Sequence, residues 1–442
     1  MSMDGAGVGL GSRLRIVLAT YSLAYIGGTE SYAVTVAHEL RRLGHDVTLA
    51  AEELGPVAEL AERDGLRVAR LPTELPRQCD VAIVQDAIVT APVVDRYPGA
   101  GIVHVAHSDI FDHQLPVLTP GIVHAVVALS GRLEMRMRAL ALEAPIVRLR
   151  QPIDTDRFVS AGPLPPRPRR ALLLGNYLRG ERRDALLDAW SSAGIEFTQV
   201  GGEAHHELDV RPAITEADIV VAKSRAALEG MACARAVYVY DEFGGDGWIT
   251  PERYDGFEAD GFAGLASEKP RRPADLAADV EGYSAEMGWI NREIIRTHHS
   301  ARRHTARLVD VLRDVASAHT EGISGLEEVS RFARLVWHAE RRTIGFQHQA
   351  AAAASRAVAS DEEARGWESR ALSAEEEAQG WGSRAHAAEE EMRGWKSRAR
   401  DAESQLADAE SQLAEARWLL GTRRSRVGFA LGGMLDRVRG QR

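Results

Sequence analysis

Short apolar blocks alternate with helical stretches through most of the chain. Residues 14–20, LRIVLAT, form a largely apolar run of the kind shown by parallel strands buried on both faces. The loop YSLAYIGGTE leads into SYAVTVAHELRRLG, an amphipathic helix. Gly44 closes that helix, and HDVTLAA makes the next strand. The alternation continues with a helix near 57–64 and strands RVARL, VAIVQ, GIVHVAH and HAVVALS. Helix GRLEMRMRALAL and strand IVRLR complete the series. Strands alternating with helices predict a parallel, doubly wound α/β sheet.

The segment SAGPLPPRPRR is a proline-rich break that reads as an interdomain linker. A second α/β series follows: strand ALLLGNY, a helix at 182–194, strand FTQVGG, then the block from Asp218 to Trp248. That block reads strand, helix, strand, and ends in the glycine-rich loop DEFGGDGW. Residues 273–316 look helical and charged, and either close the second domain or cross back to the first. The expected organisation is a leader at 1–12, a first Rossmann-like domain at 13–158 and a linker at 159–170. A second Rossmann-like domain spans 171–316 and a helical connector spans 317–345.

From Phe346 the period changes. Trp367, Trp381 and Trp395 recur within near-repeats GWESRA, GWGSRA and GWKSRA. Alternate steps of four and three from Phe346 to Leu420 trace a seam in which Ser360 is the only polar residue. This predicts a long α-helical coiled coil over 346–420, roughly 110 Å long. Alanine holds so many seam positions that each heptad buries little area. The expected partner of this segment is a second copy or another protein. The tail 421–442 interleaves arginines with Phe429, Leu431, Met434 and Leu435, which suits contact with an anionic membrane surface.

Composition narrows the function. The 442 residues leave room for two or three domains. A net charge of -10 argues against a nucleic-acid binder. Cys79 and Cys233 cannot make a disulfide framework or a CxxC metal site. No apolar run is long enough for a transmembrane helix, and MSMDGAGVGLGS lacks the make-up of a signal peptide. The expected location is the cytoplasm, with peripheral contact at the inner membrane face.

Three places carry candidate chemistry. Gly27 and Gly28 follow the first strand, where small residues let backbone N–H groups approach an anion at a helix start. Lys223, Ser224 and Arg225 stand at the end of a strand and the start of a helix, where open α/β sheets bind ligands. Glu229 lies inside that otherwise apolar helix. His107 and Asp109 end the strand containing His104, and either can hold a ligand hydroxyl or act as a base. The adjacent pairs His205-His206 and His298-His299 do not converge on one metal, and no metal site is expected. The DEFGGDGW loop reads as a mobile lid or an ordinary surface loop.

LRIVLATYSLAYIGGTESYAVTVAHELRRLGHDVTLAA resembles the opening of GT-B-fold glycosyltransferases of the family 4 type. VVALSGRLEMRM followed by RQPIDTDRF is similar to that family's passage from a serine-ended strand to an N-G-[VI]-D-x-x-x-F segment, with Gln151-Pro152 in place of Asn-Gly. GNYLRGERRDALLDAW resembles the loop opening the second domain. There Asn176 stands where the family has arginine, and Arg179 where it has lysine. AALEGMACARAVYVYD is similar to the lEAMA-G-PVV block, and Glu229 falls on its ribose-binding glutamate. Val221 occupies the position of a second glutamate.

The resemblance implies a GT-B fold, a nucleotide-sugar donor, no cofactor, and a retaining reaction without a metal. It places Gly27, Gly28, Gly175, Asn176 and Glu229 at the donor, and Ser224 and Arg225, which this chain offers beside the departing Val221, are further donor candidates. Arg179 and Lys223 are the candidates to stabilise charge growing on the leaving phosphate, and His107 to serve the acceptor. The expected activity is transfer of a sugar to a surface glycan, glycolipid or other large acceptor. Two other readings stand beside it: a non-catalytic scaffold working through its coil, and a nucleotide-sugar epimerase of the same fold.

Overall fold

The apolar blocks become two sheets. The computed structural model describes residues 13–109, 111–175, 178–201, 207–242, 244–267, 271–316, 326–377 and 382–439. Over parts of the last two segments, including 371–388 and 419–439, it describes the backbone alone.

The first series comprises β1 (Arg15–Leu23), α1 (Gly28–Arg42), β2 (Asp46–Leu54), α2 (Pro56–Arg63), β3 (Arg67–Arg70) and β4 (Val81–Val84). It continues with α3 (Ala87–Arg96), β5 (Gly101–Ala106), β6 (Ala125–Ala128), α4 (Gly131–Ala139) and β7 (Ile146–Arg148). The strands pair in parallel in the order β3-β2-β1-β4-β5-β6-β7. Strand order reverses between β1 and β4, and the carboxyl ends at that switch leave a crevice suited to ligands. Every residue of β4, β5 and β6 is buried, as helices on both faces of a parallel sheet require. Helix α1 turns Tyr32, Ala33, Val36, Ala37 and Leu40 toward the sheet, the spacing of one helical face.

The second series comprises β8 (Arg170–Leu174), α5 (Gly180–Ser191), β9 (Glu196–Val200), α6 (Arg211–Glu216), β10 (Ile219–Ala222), α7 (Ser224–Ala232), β11 (Ala236–Asp241) and β12 (Gly244–Trp248). The order is β12-β11-β10-β8-β9, with the switch between β8 and β10. β12 runs antiparallel to β11, whereas the sequence reads DEFGGDGW as a loop. Glycines have low strand propensity, so the pattern hides the strand. Packing demands them: a Cβ at Gly245 would lie 2.1 Å from the Val239 carbonyl oxygen.

The helical region 273–316 divides between the two sheets. After α8 (Tyr254–Asp260) and α9 (Leu276–Asp279), α10 (Glu286–His298) packs on α7. α11 (Ala301–Val315) crosses back, adding Leu308, Val309, Leu312 and Val315 to the first core. Its carboxyl end presses so closely on β5 that a Cβ at Gly101 would lie 1.9 Å from the Val315 carbonyl oxygen. The Tyr32 hydroxyl meets His304 Nε2 at 2.9 Å, tying α1 to α11.

Residues 331–442 form a second compact unit. Helix α12 (Leu326–Glu377) leads into it, and α13 (Gly382–Arg439) follows. Arg356 lies 3.5 Å from Gln405, 49 residues onward. One continuous helix would separate them by roughly 74 Å. The chain therefore doubles back, and the heptad seam does not form one rod 110 Å long. Ala353, Ala364, Ala402 and Ala409, all seam positions, are buried. The Arg370 and Arg398 guanidiniums lie 3.7 Å and 3.3 Å from the ring centres of Trp367 and Trp395. Trp381 and the side chains of 421–442 lie outside the described residues. Among the described residues, no helix is long and apolar enough to cross a membrane.

Candidate active site

A cavity of about 290 Å³ opens where the carboxyl ends of the two sheets face each other. Gly27, Gly28, Ser31 and Thr35 line it from the β1–α1 turn and α1. Gly175, Lys223, Ser224, Arg225, Glu229 and Asp241 line it from the ends of β8, β10 and β11 and from α7. Residues far apart in sequence meet because each lies at or beyond the carboxyl end of a strand at or near a switch point.

Two helices begin at this cavity without a side-chain cap. Gly27 precedes α1 and has no side chain to offer, and Lys223 precedes α7 without capping it. First-turn N–H groups and the helix dipole favour an anion, and at α1 the Glu30 carboxyl already accepts from its own N–H. Ser224 takes a φ of +50°, a left-handed conformation uncommon for serine, while its N–H donates to the Phe262 carbonyl at 2.7 Å. That turn aims the start of α7 into the cavity.

Arg225 and Glu229 form a buried pair one helical turn apart. Arg225 Nε donates to Glu229 Oε1 at 2.9 Å. The same guanidinium donates to the Pro152 carbonyl at 2.9 Å and to Thr35 Oγ1 at 3.1 Å. It therefore ties α7, the segment after β7 and α1 together across the cleft. Burial pushes the Glu229 carboxyl above its ordinary range, and the charge of Arg225 opposes that shift. No described residue hydrogen-bonds Glu229 Oε2, so one carboxylate oxygen stays available on a cavity-lining side chain.

The remaining candidates are placed differently. Lys223 lines the cavity and is ion-paired to Asp241. Arg179 precedes α5 without capping it, is held by Glu242 at 2.6 Å, and does not line the cavity. Asn176 lies outside the described residues. Val221 is fully buried among Leu173, Leu186, Trp190 and Tyr238, on the face of β10 away from α7. A glutamate would be costly in that apolar environment.

His107 sits beneath α1, edge-on to Tyr32 with ring centres 4.9 Å apart, and does not line the cavity. Burial pushes its imidazole down to about 3, so the ring is neutral. Its Nε2 is buried without a partner among the described residues. His104 is also buried, with Nε2 at 3.2 Å from the Gln114 carbonyl. Asp109 lies 3.3 Å from Arg132. Among the described residues, no group of His, Cys, Asp and Glu is placed to hold a metal ion.

Sequence reasoning overlooked Arg157, Tyr240 and an apolar wall that includes Val57, Leu60 and Leu208. Arg157 stands in RQPIDTDRF, a stretch singled out for its resemblance without any weight on the arginine. The wall residues carried no signal beyond ordinary hydrophobicity.

No protein-family model and no curated protein matches the chain. Solved structures do. A glycosyltransferase from Rickettsia africae ESF-5 superposes with a TM-score of 0.51 at 12% identity, covering 69% of this chain and 99% of its own. Anabaena HepE, solved in complex with UDP and glucose, superposes with a TM-score of 0.51 at 11% identity, covering 68% of this chain and 100% of its own. The fold is GT-B. The shared part is about the length of the two-sheet unit, and the cavity lies in the cleft between the two domains of this GT-B fold.

Proposed function

We propose that the protein is a glycosyltransferase that moves a sugar from a nucleotide-sugar donor to a large acceptor, a surface glycan or glycolipid. One observation carries the reading. Two helix starts whose preceding residues give no side-chain cap, and a carboxylate with one oxygen unbonded among the described residues, converge on one interdomain cavity. A nucleoside diphosphate presents matching groups. Its phosphates suit the N–H groups of α1 and α7, and its two ribose hydroxyls suit the Glu229 carboxylate. HepE binds UDP and glucose on the same fold, which supports this choice of ligand.

The chemistry follows from the site. Breaking the bond to the diphosphate builds negative charge on the leaving phosphate. Prearranged N–H dipoles, with Lys223 sharing its charge with Asp241, stabilise that charge. The resemblance to family 4 carries the retaining, metal-independent form of the reaction. The C-terminal helices serve self-association or a partner protein, and the basic tail rests on an anionic membrane.

A thermal-shift screen with nucleoside diphosphates and nucleotide sugars tests the reading. Ligand at a hundred times its dissociation constant should add about 2.7 kcal/mol of stability. No shift with any nucleotide would overturn the donor assignment. Conversion of a donor without acceptor would point to an epimerase instead.

A further inference from the structure

Among the described residues, three cations line the cavity: Arg157, Lys223 and Arg225. Two have anionic partners in place. Lys223 is paired with Asp241, and Arg225 is paired with Glu229. Of the carboxylates on the wall, Asp209 is taken by Arg211 at 2.6 Å. Arg157 makes no side-chain hydrogen bond and no ion pair with any described residue. Its backbone N–H alone is engaged, donating to Asp154 Oδ1 at 3.1 Å.

The segment after β7 is anchored where Arg157 stands. The Phe158 N–H donates to the Asp154 carbonyl at 2.9 Å, and the Phe158 ring is buried in the second core. The Ile153 N–H donates to the His299 carbonyl at 2.7 Å. A pinned backbone thus presents a half-buried guanidinium, and its charge acts on Arg225, Glu229 and Asp209 around the cavity. A cation held at a cavity wall with no ion pair to any described residue is matched to a ligand anion. The guanidinium fork fits two phosphate oxygens at once.

We propose that Arg157 binds the diphosphate of the donor, from the interdomain segment, and that neither Lys223 nor Arg179 is the main phosphate cation. The inference rests on the nucleotide-donor reading. It adds a recognition group outside the second domain, so phosphate contact reports on the segment joining the two domains.

Titration calorimetry on the full chain tests it, with UDP, GDP, ADP and dTDP and the four matching nucleosides. For the diphosphate that binds wild type, Arg157→Gln should weaken affinity roughly ten- to a hundred-fold, the loss of one charge-assisted hydrogen-bonding group. Arg157→Lys keeps the charge without the fork and should weaken it about three- to ten-fold. The matching nucleoside should bind both variants as it binds wild type. Unchanged diphosphate affinity in Arg157→Gln would overturn the inference and leave the donor reading standing. Equal losses for diphosphate and nucleoside would also overturn it, because they indicate a structural role. Failure of all four diphosphates to bind wild type would overturn both together. Should the glutamine variant not fold, the lysine variant decides on the same ratio.

Discussion

Removing the Glu229 carboxylate should destabilise the protein before it says anything about the ligand. Glu229 and Arg225 are 8% and 7% exposed, so neither charge has much water to fall back on. Glu229→Ala leaves Arg225 with only the Pro152 carbonyl and Thr35 Oγ1 as acceptors. Breaking one side of a buried ion pair costs about 3–5 kcal/mol, and the two surviving hydrogen bonds place this case near 3. Glu229→Gln keeps an acceptor for Arg225 Nε and should cost less, about 1.5–3 kcal/mol, the range for hydrogen bonds to a charged group. The double change Arg225→Met with Glu229→Leu removes both charges and should return to within about 1–2 kcal/mol of wild type. Urea unfolding followed by near-ultraviolet circular dichroism reads all three. The expected order of stability is double variant, then glutamine, then alanine. Alanine and wild type within about 1 kcal/mol would refute the reasoning, as would a double variant no better than alanine. The ordering matters for function. Lost nucleotide binding in Glu229→Ala mixes the ribose contact with a freed arginine, whereas Glu229→Gln keeps Arg225 partnered.

The other expectations concern acid, backbone packing and the C-terminal unit. Burial holds His107 at about 3, below its unfolded value of about 6.5, so the unfolded chain binds more protons between those limits and stability falls as pH drops through that window. Unfolding at pH 5.5 should show His107→Phe more stable than wild type by about 1.4 kcal/mol beyond any difference at pH 8, and an unchanged pH slope would count against it. Gly101→Ala pushes a Cβ against the Val315 carbonyl and should cost about 1–3 kcal/mol in denaturant melts. Gly256→Ala, which meets nothing within 4 Å inside α8, should add about 0.4–1 kcal/mol, and equal effects of the two changes would refute the packing account. Deleting 346–442 should lower the sedimentation mass to that of a monomer and abolish recovery with anionic vesicles. Unchanged mass and recovery would sink the proposed roles of the coil and tail.

Much of the fold was legible because it rests on local periodicity. The apolar runs 14–20, 81–85 and 101–107 each mark a buried parallel strand, and the α1 stripe marks its face. The places where the reading failed are those where a distant contact overrides local preference. β12 is glycine-rich because the β11 backbone leaves no room for a Cβ. The C-terminal seam looks continuous because a heptad pattern is the same whether its partner is another chain or its own next helix.

The site divides along the same line. Chemistry and position near a strand end singled out Gly27, Gly28, Lys223, Ser224, Arg225 and Glu229, and the fold brings all six to one cavity. Sequence alone also marked Lys223 and Arg179 as phosphate cations, because a charge can be read without knowing its neighbours. Tertiary structure decided that Asp241 and Glu242 hold those charges, that Arg225 joins both domains, and that the Arg157 side chain has no hydrogen-bond or ion-pair partner among the described residues. Residue type determines what a side chain is able to bind. Which partner it meets depends on distances of a few ångströms between segments far apart in sequence, 190 residues for Thr35 and Arg225, and only packing fixes those.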